Sequence, residues 1–310
     1  MVFDRVRTVT KEWAVMMFDL VASACLGMGL FAALAAMRYR VEQTTLVGPW
    51  MWTNIAAGSV VSTSLLIKIV PADFATLLSY LAVTATLCPM VALLGAKRPQ
   101  NRAWQWIVAA LWLIFFLPAF TAVILRHTVL QLGGIWTGLI VILVLLPIGN
   151  YLSTRYVVSV LLTAAAQIIL LLDCGAITPA VSPLWAIENG WFSPNTVALT
   201  LFLLATITAL TLTPKQIQTS DQADRTTELW REFSQRYGML WSRRVADRAE
   251  KLLKQAGFSL QLGTDAFYLT ANRQPIPAEE LPEKATATLR NLLLRFVSQS
   301  WMTDVISDEN

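Results

Sequence analysis

Long apolar stretches follow one another from residue 14 to residue 213, separated by short polar breaks. A helix needs about 20 predominantly apolar residues to cross about 30 Å of hydrocarbon. The pattern therefore predicts a polytopic α-helical membrane bundle in residues 1–213. We expect about seven transmembrane helices, near residues 14–37, 50–70, 74–95, 104–125, 133–152, 156–172 and 196–213.

Two parts of this pattern are less regular than the rest. Residues 50–70 contain several polar side chains and Lys68, so this segment either crosses the membrane or only dips into it. Residues 173–195 contain neither Lys nor Arg but include Trp185 and Trp191. Because tryptophan favours the headgroup level, we expect this loop to lie in the membrane interface.

The periodicity changes after Pro214. Apolar residues recur at helical spacing through residues 226–256, and two short strands are predicted at 258–262 and 266–269. A last helix follows a proline-containing linker. This order predicts a small α+β module, α-β-β-α, in residues 214–310, with three buried anchors: Trp230, Trp241 and Trp301.

Charge is spread unevenly between the two parts. Residues 1–213 hold 11 of the 24 basic and 7 of the 20 acidic residues, whereas the C-terminal module holds 13 of each. A nucleic-acid-binding module concentrates positive charge, so the neutral module predicts no nucleic-acid partner. The expected partners are the lipid bilayer and either a protein bound through the module or a second copy of the chain.

Basic residues favour the cytoplasmic face of an inner membrane, which places the loop 173–195 outside and the module inside. Seven spans then put the N-terminus outside, with 6 basic residues inside and 5 outside. Six spans put both termini inside, with 7 basic residues inside and 4 outside. The charge count favours six spans and the length of residues 50–70 favours seven. We adopt seven.

No catalytic or cofactor site emerges from the residue pattern. The chain has one histidine and three separated cysteines, so neither a histidine cluster nor a Cys-x-x-Cys pair can be built, and no metal or other cofactor is predicted. Nucleotide-binding, zinc-protease and serine-hydrolase motifs are also missing from the sequence. We therefore expect a protein that is not an enzyme.

Asp19 and Lys68 are the ionisable residues expected within the membrane. Burying a charge near the bilayer centre costs about 3 kcal/mol or more, so such residues usually have a partner or a function. In a hairpin of the first two helices they reach a similar depth, which predicts an intramembrane ion pair. The alternatives are that both snorkel to the interface or that they line an ion or proton pathway.

A basic stripe lies on the first helix of the module and consists of Arg243, Arg244, Arg248, Lys251 and Lys254. Its helical spacing predicts a common face that contacts anionic lipid headgroups. A face that is only solvated is the alternative, and binding to DNA or RNA is disfavoured by the module's zero net charge.

Single polar residues within the spans have simpler interpretations. Asn150 and Gln167 are expected to bond to neighbouring helices, and Arg126 and His127 to contact headgroups, with a histidine pH sensor as the alternative. Three prolines in or near the ends of the spans predict kinks: Pro89, Pro118 and Pro147.

These features predict a membrane-anchored scaffold, assembly or sensing protein that presents a cytoplasmic interaction module. A small transporter or channel subunit is the alternative, because kinked spans are present but repeats are not. A membrane-embedded enzyme is the third hypothesis.

Overall fold

The computed structural model describes residues 2–97, 101–124, 132–176, 193–212, 222–263, 266–269, 274, 276 and 281–306. The membrane part contains helices α1 (Val2–Val41), α2 (Val47–Leu66), α3 (Ala72–Ala85), α4 (Cys88–Leu94), α5 (Asn101–Ile124), α6 (Gly134–Tyr151), α7 (Val157–Asp173) and α8 (Pro194–Thr211). The C-terminal module contains α9 (Gln222–Gln255), β1 (Leu260–Leu262), β2 (Phe267–Leu269), α10 (Glu283–Leu293) and α11 (Gln299–Ile306).

Within the described residues, five helical segments are long and apolar enough to cross a membrane. They are Trp13–Val41, Phe74–Leu94, Arg102–Ala122, Gly134–Tyr151 and Pro194–Thr211. This is consistent with the predicted helical membrane bundle. The seven predicted spans are not all recovered, because α7 has 17 residues and the polar α2 does not qualify on hydropathy.

The segment formed by α3 and α4 is the innermost of these five. Its apolar window is 72% buried within the protein, whereas the other four are 17–33% buried. The outer helices carry large apolar side chains on their exposed faces, such as Leu113 and Leu117 of α5 and Ile142 of α6. Contiguous apolar surface of this kind requires lipid or another protein against it.

The innermost segment is broken into α3 and α4 next to Pro89, where the sequence predicts a kink. Proline has no N–H and its ring collides with the carbonyl four residues earlier, so it is favoured in the first turn of a helix, where Pro89 lies in α4. Pro118 and Pro147, by contrast, lie inside α5 and α6, which continue past them. Between α3 and α4 the chain forms tight turns, in which the amides of Thr86 and Leu87 donate to Val83 and Thr84. Gln167 of α7 donates to the Thr86 carbonyl over 2.9 Å, which confirms the expected bond to a neighbouring helix.

The module differs from its prediction in two details. Gly238 has φ 73°, which interrupts the helical backbone of α9 and divides the helix into two arms. The predicted last helix is divided into α10 and α11 near Phe296. The two predicted strands are present as an antiparallel pair, with Gln261 opposite Tyr268. The predicted anchors Trp230, Trp241 and Trp301 are all buried.

The core of the module is continuous with one end of the bundle. Met90, Leu93 and Ala96, at the end of α4, pack in the same cluster as Phe233 and Phe296 of the module. The predicted boundary at residue 214 therefore separates two stretches of sequence that share a core. Of the predicted interfacial loop 173–195, residues 177–192 lie outside the described residues, as do Arg126 and His127.

Candidate functional site

Asp19 binds three donors at the end of the bundle remote from the module. Lys68 Nζ lies 2.6 Å from Asp19 Oδ2. The Ser193 amide and the Thr196 hydroxyl donate to Asp19 Oδ1 over 3.0 and 2.6 Å. Ser23 completes this set, because its hydroxyl lies 2.9 Å from that of Thr196. The structure thus brings together the two residues predicted to pair and adds a third segment to them.

The added segment is the N-terminus of α8, and the reason is electrostatic. The first amides of a helix lack partners within the helix and attract negative charge. Ser193 caps α8 by accepting from the Thr196 amide, and Pro194 occupies the first turn. Asp19, which is 3% exposed, supplies a carboxylate to the same amide-rich end. The cluster therefore ties α1, the end of α2 and the start of α8 together.

A second buried ionic cluster fastens the module to the bundle. Glu232 of α9, which is 4% exposed, accepts from Arg155 Nη2 over 2.6 and 2.8 Å and from Arg236 Nε over 2.6 Å. Arg155 lies in the loop between α6 and α7, and its amide donates to Gln235 Oε1 over 2.7 Å. Burial alone would lower the pKa of Arg155, but the hydrogen bonds and charge of Glu232 raise it overall.

The kink in α9 lies directly against the end of α6. The Asn150 side chain donates to the Tyr237 carbonyl over 3.3 Å and accepts from the Leu240 amide over 2.9 Å. One amide group thus satisfies both the donor and the acceptor freed by the kink at Gly238. A Cβ at Gly238 would lie 2.3 Å from Asn150 Nδ2 and 2.7 Å from the Asn150 carbonyl oxygen. Only glycine fits there.

Tyr237 extends this contact to the loop between α1 and α2. Its hydroxyl donates to the Phe296 carbonyl over 3.0 Å and lies 3.0 Å from the Thr45 hydroxyl. Burial raises the pKa of Tyr237 to about 12, against an opposing effect of the hydrogen bond with Thr45, so the phenol stays neutral. The backbone at Thr44 forms an antiparallel bridge with Val297. We call the contacts of Glu232, Tyr237 and Gly238 with the bundle the junction.

A cavity of about 340 Å³ lies within the bundle next to the junction. Helices α1, α2, α4, α6, α7 and α8 surround it, and each contacts the next in that order. Its deep end is formed by Leu30, Thr86 and Gln167, beside the break between α3 and α4. Its mouth is formed by Arg40 and, from the module, Arg236.

The predicted basic stripe is exposed along the second arm of α9. Arg243, Arg244, Arg248, Lys251 and Lys254 all lie on the solvent side of that arm. Arg244 stacks over Trp241, with 5.0 Å from its guanidinium carbon to the ring centroid. The indole N–H of Trp241 donates to the Leu93 carbonyl at the end of α4, so the stripe begins beside the bundle.

The junction and the cavity mouth were not predicted from the sequence. The pairing of Arg155 with Glu232 is not apparent from the sequence, because the two residues lie 77 positions apart. One signal was present: Gly238 lies inside a helical pattern, next to Tyr237 of the apolar stripe, and an isolated glycine in such a pattern often has a packing reason. Within the described residues, no group of three or more His, Cys, Asp or Glu side chains could hold a metal ion.

The fold and these contacts define a helical bundle with five apolar segments able to span a membrane and a module docked on one end. No family model, curated protein or solved structure matches the chain.

Proposed function

We propose that this chain is a multi-pass inner-membrane protein that holds or senses a protein partner through its cytoplasmic module. The junction is the observation that carries the proposal. A module on a flexible tether would only be localised at the membrane, whereas a module bonded to two loops and to the end of α6 can respond to changes in the bundle. The role is therefore that of a scaffold or sensor.

The proposed topology has seven spans, an external N-terminus and an internal module. Helix α2 has the 20 residues that give about 30 Å of length. Its polar side chains are compatible with lipid because several donate to their own helix: Thr53 to Pro49, Ser59 to Ile55 and Ser64 to Val60. A buried contact with α1 and α4 further reduces the cost of crossing.

The basic stripe supports this orientation. It starts beside α4 at the junction end of the bundle, where an inner leaflet rich in anionic lipids would lie. Each Lys or Arg near such a surface contributes about 1 kcal/mol of attraction. We propose that the stripe contacts headgroups and sets the height of the module above the membrane.

Transport is the second candidate function, and the break between α3 and α4 is the observation that favours it. Broken helices that line a cavity near the bilayer midplane are a feature of many transporters. The Thr86 carbonyl and Gln167 meet at this break, at the deep end of the cavity. A small transporter or channel subunit would use this element as its substrate contact.

Site-specific photo-cross-linking in cells separates the two candidates. The cross-linker is placed at Asn291, an exposed position on α10, and in a control variant at Ile114, an exposed apolar position on α5. A scaffold or sensor predicts one discrete protein adduct from Asn291 that is absent from Ile114. Adducts only with other copies of this chain, or no protein adduct from Asn291, would contradict the scaffold and favour transport.

A further inference from the structure

The depth of the cavity matches one leaflet of a bilayer. Its wall follows α1 from Leu30 to Arg40, ten residue steps that correspond to about 15 Å along the helix. The hydrocarbon core of a bilayer is about 30 Å thick, so the cavity reaches about half-way across it. Its volume of about 340 Å³ lies within the range of known small-molecule sites, about 300–1,000 Å³.

The inside of the cavity is suited to an apolar chain. Leu30, Leu34, Met90, Leu143 and Phe202 contribute aliphatic or aromatic surface. Hydroxyl groups in the wall already donate within their own helices. Those of Thr53, Thr163 and Thr206 each donate to the backbone carbonyl one turn earlier. Few donors therefore remain to bind a polar ligand along most of the length.

The mouth of the cavity is positively charged. Arg40 lines it, and its guanidinium forms no hydrogen bond or ion pair with any residue in the described part of the chain. Arg236 Nη1 donates to the backbone carbonyl of Arg40 over 3.1 Å, so a second guanidinium lies at the mouth. The one carboxylate bonded to this group, Glu232, is shared between Arg236 and Arg155. An excess of positive charge is left at Arg40.

We propose that the cavity binds a single-chain anionic amphiphile, with its acyl chain between the helices and its headgroup at Arg40. A fatty-acid carboxylate and a lysophospholipid phosphate share this chemistry, because each combines one apolar chain with one compact anion that accepts charged hydrogen bonds from a guanidinium. The closed ring of six helices favours one chain over two. Binding at this site requires neither the protein partner nor transport, so it can fail or succeed independently of the proposed function.

Native mass spectrometry of the full-length protein in a neutral maltoside detergent tests this site. The probes are palmitate and palmitoyl-lysophosphatidylglycerol, and the zwitterionic control is palmitoyl-lysophosphatidylcholine. We expect one bound molecule of at least one anionic probe, with at least about tenfold weaker binding of the control. Loss of a charged hydrogen bond typically weakens binding by about tenfold or more, so Arg40→Gln should have a similar effect.

The matched control is Arg38→Gln. Arg38 lies on the same helix, is exposed and stacks over Trp50, but it does not line the cavity. Its replacement should leave binding within about twofold. A second variant, Ala57→Phe, fills the deep end and should abolish binding of the anionic probes while Arg40 is intact. Thermal unfolding of each variant without ligand identifies loss of folding.

The outcomes separate the two sources of ligand and can overturn the proposal. Preference for palmitate identifies a fatty acid, and preference for the lysophospholipid identifies a membrane lipid. The proposal is overturned if the zwitterionic control binds as tightly as both anionic probes. It is also overturned if Arg38→Gln weakens binding as much as Arg40→Gln, or if a folded Ala57→Phe protein binds like the wild type.

Discussion

The bundle has a buried ionic cluster at each end, and the two are built differently. Asp19 and Arg40 are 21 positions apart on α1, which corresponds to about 31 Å. At the Asp19 end, one carboxylate accepts from one lysine, one amide and one hydroxyl. At the junction, one carboxylate of Glu232 accepts from two arginines and lies beside a kinked helix.

The difference follows from what each cluster connects. The Asp19 cluster joins helices that already pack side by side, so it adds to contacts made by apolar surfaces. The junction joins the module to two loops and to the end of α6, beside apolar contacts made by residues such as Leu93 of α4 and Leu146 of α6. Its stability also depends on a carboxylate shared by two arginines and on the kinked backbone that only glycine allows at residue 238. We expect the junction to be the more sensitive of the two to single substitutions.

Gly238→Ala should have the largest effect. The new Cβ would meet the side chain and backbone of Asn150, and a left-handed backbone strains alanine in addition, so we expect a loss of about 3 kcal/mol or more in the free energy of unfolding. Gly257→Ala is the matched control, because Gly257 has φ 88° but open space around it and should lose only about 1 kcal/mol. Equal losses in denaturant titrations would contradict the role of Asn150.

Glu232→Gln should have the next largest effect. It leaves Arg155 and Arg236 without the charge that compensates them, and breaking a buried ion pair in this way costs about 3 kcal/mol. Glu228→Gln is the control, because Glu228 pairs with Arg231 at the surface and such pairs contribute about 0.5 kcal/mol. Thermal unfolding in the same detergent compares the two; similar shifts would show that Glu232 is not structural.

At the opposite end, Asp19→Asn and Lys68→Met should each cost about 1–3 kcal/mol, less than a change at the junction. The exposed part of Lys68 allows its charge to reach the interface, and Asp19 keeps two other donors. We expect each single variant to lower the amount of membrane-inserted protein and the double variant to recover part of it. Wild-type amounts of both single variants would exclude a stabilising pair.

The smallest effect on folding is expected in the basic stripe. Arg248→Gln with Lys251→Gln should leave the unfolding midpoint unchanged, because both side chains are exposed. In nanodiscs containing anionic lipid, however, the double variant should show faster hydrogen exchange in the second arm of α9 than the wild type. This difference should disappear at high salt or in zwitterionic nanodiscs. The same exchange in both lipids would contradict headgroup contact.

Much of the bundle was predictable because its signals are local. Apolar runs predicted the helices, and the depth of two charges in one hairpin predicted that Asp19 and Lys68 would meet. Nothing local indicates that Thr196 joins them, since it lies 177 positions beyond Asp19. Likewise, no local pattern identifies the role of Glu232, because its partner Arg155 is 77 positions away.

The sequence predicts a kink at Pro89, where the helix breaks, but not the kink at Gly238, although both are single-residue signals. Proline acts through its own ring, which the sequence shows, but the ring alone does not decide the outcome, because α5 and α6 continue past Pro118 and Pro147. Whether a glycine is required depends on which atoms approach it in the folded structure. At Gly238 these atoms belong to Asn150, from a different part of the chain. The cavity was hidden for a related reason, because a void depends on how six helices pack and leaves no pattern in any one of them.

Attachment of the module to the bundle through the junction is tested most directly by a distance measurement. Spin labels are placed at Leu152, exposed beside α6, and at Asn291 of the module, after Cys25, Cys88 and Cys174 have been replaced. Double electron–electron resonance in nanodiscs should give one narrow distance distribution, which broadens in Glu232→Gln. A broad distribution in the otherwise unmodified protein would contradict a module that is fixed to the bundle.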